Sequence, residues 1–222
     1  MPAASPLAGS RQLIVVTSVS WDAIDGMLRR YERPSPTAAW NVVGDPVPVV
    51  LGRTGLAWGR GAAEAPSSEP QKREGDGKSP AGAFTLGWAF GFAAAADSKM
   101  SYAMLRDATE CVDDLRSEHY NAIVDRDRVQ RVDWSSSEKM RTIEQYRWGV
   151  VVNHNVPPKS GGGSCIFLHI WSGASQPTAG CTAMAAADLE RLLQWLDPAA
   201  HPLVVQLPRG EYERMRARWA LP

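Results

Sequence analysis

The chain has 222 residues, 44% of them hydrophobic, which is enough for one sizeable core. Its 24 basic residues balance its 24 acidic ones, so no net field draws it to nucleic acid or to an anionic membrane surface, and we expect neither partner. No stretch reaches the roughly eighteen apolar residues of a membrane-spanning helix, which excludes an integral membrane segment of that kind.

Residues 1 to 10 read as a flexible tail. They lack a basic start followed by a long apolar run, so no signal peptide is expected within the chain. Residues 12 to 17, QLIVVT, are apolar and β-branched and predict a strand. Ile24, Met27, Leu28 and Tyr31 fit a helical face, but Gly26 weakens a helix, and we read residues 26 to 32 as a strand. Residues 40 to 43 and 47 to 51 read as two short strands joined by a turn at Gly44, Asp45 and Pro46. Pro48 puts the second at a sheet edge or a strand start.

Residues 52 to 82 are rich in Gly, Pro, Ser and charge and predict a long loop, mobile over 62 to 70. Lys72, Arg73 and Lys78 read there as solvated charge, with contact to an anionic substrate as the sharper alternative. From 84 to 92, Trp88, Phe90 and Phe92 alternate as in a strand, as core residues or as the wall of a groove. Residues 111 to 121 read as a polar insertion, and His119 and His201 as surface residues. Residues 126 to 147 are charged, with Trp134, Met140, Ile143 and Tyr146 scattered among them, and predict one short helix and a loop. Residues 148 to 155, WGVVVNHN, predict a strand that ends at His154, either packed structurally or lining a groove.

The chemistry concentrates next. Residues 165 to 171, CIFLHIW, read as a buried strand carrying His169, and Cys181 follows directly after Gly180. A cysteine attacks a carbonyl only as thiolate, and its pKa of about 8.5 must be depressed for that to happen near neutrality. Leu189, Leu192, Leu193 and Leu196 recur on one helical face that Asp197 and Pro198 terminate, which places Cys181 a few residues ahead of a helix N-terminus. That end favours an anion, and His169 is the candidate base. A sharp turn at Gly180 would present the Gly180 and Cys181 amides to an oxyanion. The bland alternative is a small, inert, buried cysteine.

Three cysteines leave at least one thiol free. Cys111 and Cys165 pair only if the fold brings them within bridging distance in an oxidising compartment. No Cys/His cluster has zinc spacing, so we expect no metal and no other cofactor. Residues 202 to 208 predict a last strand, and 209 to 222 a basic helical extension. The chain has no internal repeats, and the expectation is one domain over 1 to 222, mainly β with a few helices (α+β).

The order His169, then Thr178, Ala179, Gly180 and Cys181, resembles the active-site segment of the YkuD-type L,D-transpeptidases, bacterial enzymes that remodel peptidoglycan. A second patch agrees: Ser79, Pro80, Gly82 and Phe84 resemble the family's Thr/Ser-Pro-x-Gly-x-Phe segment, and the likeness runs from about Arg11 to Pro208. The resemblance implies the YkuD-type, β-sandwich-like catalytic fold, Cys181 as nucleophile, His169 as base and a carbonyl near Ile170 orienting its ring. It further implies Thr178, His154 and Trp171 beside a peptidoglycan stem peptide, and a periplasmic or other extracytoplasmic location. Acyl transfer to an amine, hydrolysis by an L,D-carboxypeptidase or endopeptidase, and a catalytically silent peptidoglycan binder all fit these residues. Oligomeric state is left open. The chain departs from many members at Ala179, where they have His, and at Ala183, where their Arg helps hold a substrate carboxylate.

Overall fold

The computed structural model describes residues 5–63 and 70–222. Thirteen strands are described, β1 (Gln12–Ser18), β2 (Asp25–Glu32), β3 (Asn41–Val50), β4 (Leu56–Trp58), β5 (Ser79–Gly91), β6 (Tyr102–Met104), β7 (Thr109–Val112), β8 (Ile123–Asp125), β9 (Ser137–Lys139), β10 (Trp148–Val152), β11 (Phe167–Ile170), β12 (Thr182–Met184) and β13 (Leu203–Pro208). Two helices accompany them, α1 (Ala186–Trp195) and α2 (Arg209–Trp219), and the fold is mainly β as the composition and patterning predict.

Ten strands form one mixed sheet in the order β10-β11-β12-β3-β2-β1-β13-β5-β4, with β6 added to β5. The sheet closes on itself because β5 is long enough to pair twice. Its residues 82 to 85 face β13, and its residues 86 to 91 face β10. Closure removes most of the open edges, which otherwise expose unpaired backbone groups. β1 and β13 pair in parallel at the centre, and both are apolar on both faces. One face fills the interior and the other is covered by α2. α1 lies over β10 and β11 through Leu189, Leu192 and Leu193, each under 4% exposed.

Several local expectations are corrected by this topology. Residues 41 to 50 form one strand, because Gly44 takes φ 64° and the pairing with β2 shifts at that point, so the expected turn is a bulge. The loop over 52 to 82 contains a buried strand, β4, held parallel to the start of β5. Residues 64–69 of its mobile stretch lie outside the described residues, as do residues 1–4 of the tail. From Ser5 onward the tail is not free: Leu7 is 1% exposed, and the Arg33 guanidinium donates to the Leu7 and Ser10 carbonyls. The helix expected within 126 to 147 is instead β9 followed by two short 3-10 turns, Met140–Thr142 and Glu144–Arg147. The polar insertion over 111 to 121 begins at the end of β7 and runs on as the connection to β8, and β8-β7-β9 form a three-stranded sheet in which Cys111 is buried.

Candidate active site

β11 and β12 run parallel, with Leu168 opposite Thr182 and His169 opposite Ala183. Cys181 is the residue just before β12, so its side chain lies against the start of β11. The Phe167 amide donates to the Cys181 sulfur at 3.2 Å, and the thiol donates to the Cys165 carbonyl at 3.3 Å. The sulfur belongs to a small cluster of Phe90, Leu105, Met140, Tyr146 and Phe167, separate from the main core.

The two sequence patches meet at this residue. The Cys181 carbonyl accepts from the Ser79 hydroxyl at 2.9 Å and from the Thr178 hydroxyl at 2.6 Å, while the Gly52 amide donates to Ser79 Oγ. Gln206 continues the chain of contacts, donating to the Pro80 carbonyl and accepting from the Thr182 hydroxyl. The Ser79–Pro80 patch is therefore a clamp on the cysteine turn. Thr178 closes that turn, with its Oγ1 also accepting from the Gly180 amide at 3.1 Å.

Gly180 corrects two expectations. It stays outside the left-handed region, and what demands a glycine is crowding: a Cβ would stand 3.0 Å from the Lys78 carbonyl. Its N–H is committed to Thr178, which leaves the Cys181 amide as the donor of the expected pair that has no hydrogen-bond partner among the described residues. The N-terminus of α1 also lies farther from the cysteine than expected. β12 separates Cys181 from α1, which starts at Ala186, and the dipole effect fades beyond the first turn. The resting thiol is raised rather than depressed: burial comes first, then the charge of Glu138, against smaller lowering contributions from the Phe167 amide, Lys72 and Tyr146.

His169 is 8% exposed, and its Nδ1 lies 2.7 Å from the Ile170 carbonyl. A carbonyl only accepts, so Nδ1 carries the proton and Nε2 keeps its lone pair. Burial lowers this histidine to about 4, with the Ile170 bond opposing, so the ring is neutral at pH 7. Among the described residues no hydrogen bond joins His169 to Cys181 directly; Tyr146 lies beside both, in the cluster that holds the sulfur and against the imidazole. Its ring lies 5.2 Å from that of His169, and its hydroxyl donates to Glu138 Oε2 at 2.6 Å.

His154 sits in the packed interior just past the end of β10. It is 1% exposed, its Nε2 sits 2.9 Å from the Gly162 carbonyl, and its ring packs edge-on against Phe84. Trp171 is half-buried just past β11, its amide bonded to the Met184 carbonyl. Ala183 is fully buried between His169 and Val50, so the missing arginine has no space at that position. Lys72, read as solvated, has a side chain only 4% exposed, bridged to Asp76 at 2.8 Å and close to Gly180. Glu138 and Tyr146 carried no sequence signal beyond charge and aromaticity. Cys111 and Cys165, 54 residues apart, form a disulfide, and Cys165 is the residue whose carbonyl takes the thiol proton's bond.

A family model for the L,D-transpeptidase catalytic domain, YkuD, matches residues 31–205. The chain belongs to the YkuD family. No curated protein matches the chain. The crystal structure of the helical cell shape determining protein Pgp2 from Campylobacter jejuni is similar at 14% identity and a TM-score of 0.41, over 89% of this chain and 47% of that one. The chain thus spans about half the length of that protein. The YkuD match contains Ser79, His169, Thr178 and Cys181, along with the Cys111–Cys165 bridge.

The two buried histidines of this YkuD domain predict acid lability. Burial lowers His154 as well as His169 to about 4, from 6.5 in the unfolded chain. Between pH 6.5 and 4 the unfolded state takes up protons that the folded state refuses, so stability is lost as pH falls, at about 3 kcal/mol per histidine. Glu138, raised to about 7, acts oppositely, gaining stability as pH falls below 7. Two groups against one leave a net loss of about 3 kcal/mol from pH 7 to pH 4. Chemical denaturation at both pH values measures it; equal stability would contradict the burial of both rings.

Proposed function

We propose that the chain is a cysteine-dependent peptidoglycan L,D-transpeptidase. Cys181 attacks the carbonyl of a stem-peptide amide, between the L-configured centre of the diamino acid and the following D-residue. His169 exchanges the proton between thiol and amine, with its ring held by Ile170, and the Cys181 amide faces the oxyanion. A thioester forms, the first amine leaves, and a second amine resolves the acyl group into a crosslink. With water in place of that amine, the same nucleophile and base give a carboxypeptidase or endopeptidase. The observation that carries the reading is the Thr178-x-Gly180-Cys181 turn, clamped by Ser79 and sharing Tyr146 with His169, within the family match.

The disulfide favours an oxidising, extracytoplasmic compartment, where peptidoglycan is also found. The raised thiol favours a second reading, a catalytically silent binder of the same fold. Catalytic contacts often tighten only with substrate bound, so the resting thiol does not decide between them. Intact-protein mass spectrometry after incubation with tetrapeptide and pentapeptide stems does. An acyl adduct on Cys181 that an added amine releases as a crosslinked peptide supports the transpeptidase. Release by water alone supports the hydrolase, and peptide binding with no adduct at any pH supports the silent binder.

A further inference from the structure

A lysine is buried beside the cysteine turn, outside both patches that resemble the family. The Lys72 amide donates to the Trp58 carbonyl of β4 at 2.8 Å, which fixes where the side chain starts. The stem then passes Gly163, where a Cβ would stand 2.9 Å from Lys72 Cε, and ends at Gly180, where a Cβ would stand 3.6 Å from Nζ. Gly163 takes φ 94°, so both the backbone and the passing stem require a glycine there. Only 4% of the lysine side chain is exposed, and a lysine is almost never buried to that extent unless it is paired.

The pairing is one-sided. Nζ donates to Asp76 Oδ1 at 2.8 Å and to the Arg73 carbonyl at 3.3 Å. The Asp76 carboxylate also accepts from the Arg73 and Lys78 amides, at 2.7 and 2.9 Å, and is the more exposed member of the pair. Its charge is spread over three donors within its own loop, whereas the ammonium abuts Gly180, whose peptide bond leads directly to the nucleophile. We propose, building on the cysteine reading above, that Lys72 is a positioning residue for Cys181, its buried ammonium supplying the fixed positive charge that the N-terminus of α1 is too distant to give. His169 Nε2 takes the proton from the S–H bond, leaving a thiolate and an imidazolium. Lys72 stabilises that thiolate and exchanges no proton itself.

The groups that act on the sulfur come from three elements besides β11: Glu138 from β9, Tyr146 from the second 3-10 turn and Lys72 from the loop before β5. His169 is neutral at rest, so Lys72 is the cation among them. Burial and Glu138 disfavour the thiolate, and Lys72 offsets them. A charge held in so dry a place acts more strongly than the same charge in water.

The test is the rate of iodoacetamide alkylation from pH 7 to 10 for wild type, Lys72→Gln, Lys72→Met and Asp76→Asn, with a denaturant melt on each preparation. The reagent reports on Cys181 alone, because Cys111 and Cys165 are bonded to one another. Alkylation follows the thiolate fraction. Both Lys72 variants should react about tenfold more slowly at every pH, the low end of what a neighbouring opposite charge does to an acid. Lys72→Gln keeps a donor for Asp76 and loses only the charge, and it stands in if Lys72→Met fails to fold. Asp76→Asn keeps the ammonium and should react at least as fast as wild type. Acylation by stem peptide should fall about tenfold in kcat for the Lys72 variants with KM little changed, since the buried lysine acts through Cys181. The proposal is overturned if a folded Lys72 variant alkylates at the wild-type rate, or if Asp76→Asn slows as the Lys72 variants do, the result that loss of a purely structural bridge would give. A wild type that alkylates at Cys181 yet never forms an acyl adduct sinks the transpeptidase reading instead, a result distinct from these.

Discussion

Cys181→Ala is expected to reduce stem-peptide turnover to background, a loss on the order of 10⁴- to 10⁶-fold, because the covalent step has no other nucleophile. Cys111 and Cys165 are tied to one another and cannot substitute. The fold should survive. Alanine leaves the Ser79 and Thr178 bonds to the residue 181 carbonyl intact, and removes the sulfur's bonds to the Phe167 amide and Cys165 carbonyl, at about 1 to 3 kcal/mol for each of the two groups left unpaired. Turnover and a denaturant melt on the same preparation separate the two effects. Retained turnover with a normal melt would remove Cys181 from the mechanism altogether.

The second large effect is on stability. Opening the Cys111–Cys165 bridge, by dithiothreitol or by the Cys111→Ser/Cys165→Ser double variant, frees a loop of 54-residue separation. Chain entropy alone assigns such a loop about 4 kcal/mol, a large fraction of a domain's net stability. The consequence should reach the site as well. Cys165 takes φ 55° and is held by the Asn121 side chain, and its carbonyl is the thiol's acceptor, while Cys111 on β7 supports Glu138. We therefore expect the midpoint of urea unfolding to fall and acylation at pH 7 to fall with it. A stability change under 1 kcal/mol would show that β7 and the 165 segment are held by packing alone.

The strands at 12 to 17, 148 to 155 and 202 to 208 were legible because a β-branched apolar run favours extended backbone wherever it lies, and all three are present as β1, β10 and β13. β4 was hidden because its three residues sit among Gly, Pro and charged neighbours, and only its pairing with β5 makes it a strand. Cys181 was found by its motif, but the expected depression of its thiol was not, since a helix was counted nearer than it is and the strand between was invisible. Lys72 looked like any loop lysine. Its burial follows from Asp76, four residues on, and from the packing of the 161–163 turn beside it.

What the sequence determined by itself was local: where the backbone extends, and the order of the His, Thr, Gly and Cys positions along the chain. These depend on neighbours within a few residues, whose preferences do not wait for a fold. Tertiary structure alone decided that Cys111 bonds to Cys165, that Ser79 clamps Cys181, and that Tyr146 packs in the cluster holding the sulfur while it donates to Glu138. It also set the protonation of the site, because desolvation and charge act through space, and the strands that bring these groups together are far apart in the chain.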